Sequence, residues 1–178
     1  MLLRIVEAGP AELQAVLQIE RLAFGQHDEA ELVSALIADP SAQPHLSLLA
    51  MAEAGPVGHV LFTAVAIGDR APASRASILA PLAVLPDAQR QGVGGALIEE
   101  GARRLSANGV ELLFVLGHPG YYTRHGFVPA TPHGLHAPYP VVPQEAWMVR
   151  PLAPGVLGSV SGRVSCARCL DKPEYWIE

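Results

Sequence analysis

The chain carries one lysine, Lys172, in 178 residues. That scarcity excludes a P-loop, which needs Gly-x4-Gly-Lys-Ser/Thr to hold a nucleotide phosphate. Two cysteines, Cys166 and Cys169, lack the helix start after a strand that a redox Cys-x-x-Cys would want. They form one Cys-x-x-Cys. A structural zinc site needs four ligands and no second pair exists, so no metal is expected. No apolar run approaches the roughly 20 residues of a membrane span. Met1-Leu2-Leu3-Arg4-Ile5-Val6-Glu7 is too short and too charged for a signal peptide, so a cytoplasmic protein is expected. Basic residues are also few. Twelve Lys and Arg face seventeen Asp and Glu, a net charge of -5, which argues against general nucleic-acid binding. Half the residues are hydrophobic, enough for one domain with a sizeable core.

Glycine, by contrast, is abundant at one informative place. Gln89-Arg90-Gln91-Gly92-Val93-Gly94-Gly95-Ala96 follows an apolar run, Ile78 to Leu85, and a Pro86-Asp87-Ala88 turn. A helical pattern starts within it. A strand, a turn and glycines at a helix start suit a phosphate, because free N–H groups and the positive helix end point the same way. The spacing fails Gly-x-Gly-x-x-Gly, so a dinucleotide fingerprint is excluded. It fits Gln-x-x-Gly-x-Gly.

A second stretch, Leu116-Gly117-His118-Pro119-Gly120-Tyr121-Tyr122-Thr123-Arg124-His125-Gly126-Phe127, follows the apolar run Leu112 to Leu116. It contains aromatic-Tyr-x-x-x-Gly-Phe. With one helix and one strand between the two motifs, residues 2 to 152 resemble the GNAT family of N-acetyltransferases. The Leu-Gly-x-Pro-x-Tyr-Tyr form is most similar to a bacterial subgroup of predicted N-acetyltransferases. The resemblance implies an α/β fold. Its mixed, mostly antiparallel sheet has helices on both faces, and strands four and five splay apart to admit acyl-CoA.

Periodicity places the other elements. Leu2 to Val6 reads as a strand. A helix starts at Pro10, with Leu13, Val16, Leu17, Ile19 and Phe24 inward. A second helix runs from His27 or Asp28 to Ala38, burying Leu32, Ala35 and Leu36. His45 to Glu53 and Val57 to Ile67 are strands around Ala54-Gly55-Pro56, and Gly68 to Ser77 is a loop. Pro81, inside the apolar Ile78 to Leu85 strand, implies a bulge or a missing ladder bond. The helix from Val93 to about Ala107 buries Leu97, Ile98, Gly101 and Leu105, and Asn108-Gly109 caps it. After Phe127 prolines prevail until Ala146-Trp147-Met148-Val149, expected as the last strand. Residues 1–152 thus read as the acyl-CoA-binding domain. Residues 153–178 read as a C-terminal extension that packs on the domain or on a partner subunit, leaving a homodimer open. Its Gly155-Val156-Leu157-Gly158 and Gly162-Arg163-Val164 pieces could add an edge strand or pack on a partner subunit.

The resemblance also distributes roles. Backbone N–H groups of Gln91, Gly92, Val93, Gly94 and Gly95 would hold the pyrophosphate, with Gln89 and Arg90 beside them. Leu82, Ala83 and Val84 would pair with pantetheine amides, and an N–H near Val84 would polarise the thioester carbonyl. Tyr122 is the candidate acid for the departing sulfur, with Tyr121 packing beside it. Arg124 is placed near the 3′-phosphate or in solvent. The acidic residue the family often places on the fourth strand is missing here. His59 is then the first candidate base, His118 the second, and Glu20 and Glu53 weaker ones. Each histidine has a plain structural reading beside the catalytic one. The expected activity is acetyl-CoA-dependent N-acetylation of a primary amine, with acetyl-CoA and that amine as partners. The acceptor pocket should involve the N-terminal helices and Thr131 to Pro143. A non-catalytic acyl-CoA-binding or sensing module is the alternative.

Overall fold

The structure is a computed structural model and describes residues 1–68 and 75–177. Residues 69–74 of the expected loop lie outside the described residues. The chain opens with β1 (Arg4–Glu7) and a 3-10 turn that begins at Pro10. Helices α1 (Leu13–Phe24) and α2 (Asp28–Ala38) follow. α1 ends at Gly25, whose φ of 71° is a left-handed cap that glycine adopts without cost. β2 (Leu46–Ala52) and β3 (Gly55–Ala64) form a hairpin, followed by β4 (Ala66–Ile67) and β5 (Ala76–Val84). Next come α3 (Val93–Ala107), β6 (Leu112–Leu116) and the one-turn helix α4 (Pro119–Tyr122). Three short or late strands, β7 (Val128–Pro129), β8 (Leu135–His136) and β9 (Trp147–Pro151), precede β10 (Gly162–Ser165).

Among the described residues the main sheet has the order β1-β2-β3-β5-β6-β9-β7. Every pairing in it is antiparallel except β5 with β6. The core forms two clusters. One lies under α1 and α2 and includes Val16, Leu36, Leu61 and Phe114. The other lies under α3 and includes Phe62, Leu97, Ile98 and Leu113. α3 reaches the sheet closely because Gly101 has no side chain, and a Cβ there would overlap the Phe62 ring.

One feature of β5 positions the site. β5 pairs with β6 only from Ala76↔Leu112 to Leu79↔Val115. Beyond that the two strands diverge, while Leu82, Ala83 and Val84 stay paired with Val60, His59 and Gly58 of β3. The register with β3 shifts between Val60 and Phe62, opposite Ala80-Pro81. Pro81 has no N–H to give to a ladder, so the bulge falls where the sequence places it.

Other expectations change. The strand expected to reach Ile67 stops at Ala64, and β4 leaves the main sheet to pair with β10. β9 is not the last strand. β10 is no edge either, since it lies between β4 and β8 in a second, three-stranded sheet. On α1, Phe24 is exposed, whereas Glu20 is fully buried. On α2, Val33 rather than Ala35 faces the core. No helix among the described residues is long and apolar enough to cross a membrane.

The segment after β10 packs on the α1/α2 side. Trp176 stacks edge-on against Trp147, 5.5 Å between centroids, and its Nε1–H donates to the Leu170 carbonyl at 3.1 Å. The Cys169 N–H donates to Asp39 Oδ2 and the Arg168 N–H to Ser41 Oγ, just past the end of α2. Cys166 and Cys169 are free thiols. Burial pushes their pKa values up to about 12 and about 11, which keeps both protonated and unreactive near neutral pH.

Candidate active site

Gly92 adopts φ 83° and caps the N-terminus of α3. A left-handed residue there needs glycine, and its Cβ position faces open space. No side chain among the described residues caps this end. The first backbone bond of the helix runs from the Ala96 N–H to the Gly92 carbonyl. Helix geometry therefore leaves the N–H groups before Ala96 without intrahelical partners. Gln89 Nε2–H donates to the Val84 carbonyl at 3.2 Å, and Gln91 Nε2–H to the Asp87 carbonyl at 3.0 Å. The two glutamines thus brace the loop from within.

Gly94 and Gly95 have a different reason to be glycine than the sequence suggests. A Cβ on Gly94 would collide with the Tyr121 hydroxyl, and one on Gly95 would sit 2.9 Å from His125 Cε1. The two glycines let the Tyr121-to-His125 segment close on α3. Tyr121 packs against Gly94 at the start of α3. It lines an open cleft of about 730 Å³ between α3, the end of β5 and the segment after β6. Burial raises its pKa, so the phenol remains a donor at neutral pH.

Of the residues singled out in the sequence, Leu82, Val84, Gln89, Arg90, Gly92, Val93, Gly94, Gly95, His118 and Arg124 line this cleft. Gln91, Ala83 and the candidate acid Tyr122 do not; Gln91 is exposed and Ala83 is buried. Arg90 is exposed and holds φ 61° in the turn. The Arg124 guanidinium lies over the Tyr121 ring, 5.1 Å from its centroid. Tyr122 is half-buried, T-shaped against both Tyr121 and Phe127 at 4.9 and 5.5 Å. Gly117 makes room for it, because a Cβ there would overlap the Tyr122 ring.

Arg150, which carries no motif, fastens the assembly. It makes paired hydrogen bonds to Glu99 of α3 at 2.9 and 3.1 Å and donates to the His125 carbonyl at 3.1 Å. His125 is the other residue missed. Its signal was its place beside Gly126 in the second motif. Arg150 left none, since its partners are 51 and 25 residues away.

The structure does not bring His59 to the cleft. It is fully buried, with Nδ1 2.5 Å from Glu20 Oε1 and Nε2 2.8 Å from Ser47 Oγ. Burial drives the Glu20 carboxyl well above its ordinary value, helped by Glu29, and drives His59 well below its own. Both shifts favour a neutral pair. The protonated Glu20 then donates to Nδ1, and Nε2–H donates to Ser47. Glu53 stands in the β2–β3 turn, exposed.

The buried chain makes a stability prediction. Glu20→Ala leaves His59 Nδ1 unpaired and should cost about 1–3 kcal/mol, whereas Glu20→Gln keeps a donor and should cost less. The pH dependence has a definite sign. A carboxyl whose folded pKa lies above the unfolded one stabilises fully below the ordinary value of 4.5 and loses that contribution as pH rises. Wild type should therefore lose stability relative to Glu20→Gln between about pH 5 and 8 in urea titrations. Parallel profiles would mean that Glu20 is ionised in the folded protein.

Comparison with known proteins fits this geometry. Residues 44–129, from the start of β2 to β7, match the family model described as Acetyltransferase (GNAT) domain. The N-acetyltransferase YjhQ of Escherichia coli K12 is 45% identical over 154 residues, 84% of each chain. The chain belongs to the GNAT family of acetyltransferases. A second Escherichia coli relative, the N-acetyltransferase YhbS, is 32% identical across 87% of this chain and 90% of its own. The crystal structure of YhbS with CoA superposes with a TM-score of 0.86, covering 96% of this chain and 92% of YhbS at 29% identity. A Brucella melitensis GNAT acetyltransferase with acetyl-CoA gives 0.75 at 28% identity, covering 96% and 99%. The mixed, mostly antiparallel sheet with helices on both faces is thus the GNAT fold expected from the two motifs, and acetyl-CoA is the acyl donor of such enzymes.

Proposed function

We propose that this acetyltransferase moves the acetyl group of acetyl-CoA to a primary amine of a small molecule or peptide, within residues 1–152. One observation carries the reading. The start of α3, whose first N–H groups lack intrahelical partners, lines one cleft with Leu82 and Val84 of β5, beyond the point where β5 leaves β6. Pyrophosphate would lie on the N–H groups from Gln91 to Gly95 with Arg90 beside it. Pantetheine would follow Leu82, Ala83 and Val84, whose backbone has no β6 partner. Arg124 would serve the far end of CoA. Both relatives solved with ligand hold CoA or acetyl-CoA, which supports the same donor here.

The chemistry balances simply. The amine nitrogen bonds to the acetyl carbonyl carbon, and the carbon–sulfur bond breaks with its electron pair on sulfur. One proton leaves nitrogen and one reaches the thiolate. An alkyl ammonium of pKa about 10.4 costs roughly 4–5 kcal/mol to deprotonate at pH 7. The base must reach that proton. His118 lines the cleft just past β6 and takes this role better than His59, whose ring nitrogens are both engaged. His59 holds α1 on β3 behind the reacting strand. Tyr122 supplies the hydrogen bond to the departing sulfur. The ordinary phenol value of about 10 against about 8.5 for a thiol makes full early proton transfer uphill.

Arg90→Ala should weaken acetyl-CoA binding by about 1–2 kcal/mol, since the backbone donors remain. Calorimetric titration would read this as roughly 5- to 30-fold in Kd. An unchanged Kd would show that Arg90 faces solvent. The function itself is tested by following CoA thiol release with a broad panel of amines.

A further inference from the structure

β5 and β6 stop pairing at Leu79↔Val115, so Ala80 and Leu116 are the first residues at the opening of the gap. The donor cleft meets the gap from the α3 side, where Leu82 and Val84 pack. A second cavity, of about 150 Å³, meets it from the other side, where Ile78 and Ala80 pack under α1 and α2. Leu32 of α2, Leu116, Leu170, Tyr175, Trp176 and Ile177 complete its walls. Trp176 fixes the C-terminal wall through its ring contact with Trp147 and its bond to the Leu170 carbonyl. Among the described residues no charged side chain lines this cavity, and Tyr175 brings the one side-chain hydroxyl. The pocket along the Pro-rich stretch, lined by Thr131, Tyr139 and Val141, touches neither β5 nor β6. It is therefore not placed to present an amine to the thioester.

We infer that the cavity at the gap receives the body of the acceptor, and that the acceptor is a primary amine next to one uncharged apolar group of about benzene size. A pocket of about 150 Å³ with mostly apolar walls is large enough for benzene. Burying a second ammonium or a polyhydroxylated ring there would leave charge or hydroxyls without partners, which costs several kcal/mol. Polyamines and aminoglycosides are thereby disfavoured. The inference rests on the proposed donor site, because only a thioester in the gap makes this cavity the acceptor side. The bond changes are those already given, with the amine nitrogen at the mouth of the cavity and its apolar group inside. A free amine and a peptide beginning with an apolar residue share this chemistry.

The test uses the full chain with acetyl-CoA and thiol release. The acceptors are phenethylamine, isoamylamine, a leucine-initiated tripeptide, spermidine and kanamycin. At least one of the first three should exceed the last two in kcat/KM by roughly tenfold or more, and the free amines against the tripeptide identify the source. Leu116→Ala should shift preference roughly tenfold from phenethylamine toward naphthylethylamine and leave the Kd for acetyl-CoA unchanged. Titration of phenethylamine into the CoA-loaded wild type, which needs no variant to fold, should saturate. A preference for spermidine or kanamycin overturns the inference. So does absence of phenethylamine binding while CoA binds, or better use of hexanoyl-CoA than acetyl-CoA, which would make the cavity an acyl pocket. Failure of CoA itself to bind would remove the donor reading and the inference with it.

Discussion

Gly94→Glu will abolish the stabilisation of this protein by acetyl-CoA. In wild type, a ligand at a hundredfold excess over Kd should add about 2.7 kcal/mol to the folded state. Glutamate removes it in two ways. Its carboxylate stands in the first turn of α3, where the N–H groups would otherwise face pyrophosphate. Its Cβ also occupies the position of the Tyr121 hydroxyl, forcing the segment after β6 off the helix. Gly94→Ala separates the two effects, because it keeps the charge balance and only displaces Tyr121. Thermal denaturation with and without acetyl-CoA should show no shift for Glu and a reduced one for Ala. An undiminished shift for Gly94→Glu would place the donor elsewhere.

Tyr122→Phe should lower kcat by about 10- to 100-fold while acetyl-CoA affinity stays near wild type. The ring keeps its contacts with Tyr121, Phe127 and Gly117, so the change is mainly the hydroxyl. A thiolate already leaves well, which keeps the effect at the low end for positioned acid catalysis. Tyr121→Phe should do the reverse. Its hydroxyl sits over the helix start and lines the donor cleft, so its loss should raise Kd and leave kcat nearly unchanged. Steady-state kinetics with one competent amine decides both. Equal kcat for wild type and Tyr122→Phe would remove that hydroxyl from the mechanism. A fall in kcat for Tyr121→Phe alone would transfer the role to its neighbour.

The elements that position the donor cleft were legible because their signals are local. The apolar run Ile78 to Leu85, the turn at Pro86 and the glycines from Gly92 lie in one continuous stretch. α3 begins at Val93 and ends at Ala107, as its glycine start and its Asn108-Gly109 cap indicate. The irregularity at Pro81 was readable from its missing N–H as a bulge or a lost ladder bond, and the register shift settles on the first. What escaped depends on distant pairing. β10 was readable as a candidate edge strand, but its place between β4 and β8 depends on Val164 meeting Ile67 and Gly162 meeting Leu135. Glu20 sits in the midst of an apolar helix face, and only His59, 39 residues away, explains its burial. Gly94 and Gly95 were recognised as necessary, but the partners that require them, Tyr121 and His125, come from another element. The acceptor was illegible for a further reason. The fold fixes where an amine must arrive but not what it carries, and the walls of the proposed acceptor pocket, Leu32, Leu116 and Trp176, come from separate elements.

The central claim is that acetyl-CoA in the gap between β5 and β6 gives its acetyl group to an amine. The most direct measurement is release of CoA thiol by the purified protein with acetyl-CoA, with and without the panel of amines. Release that depends on an amine, saturates with it and disappears in Gly94→Glu is the predicted result. Acetyl-CoA that binds tightly yet loses no acetyl group to any amine would contradict the claim and leave an acyl-CoA-binding module in its place.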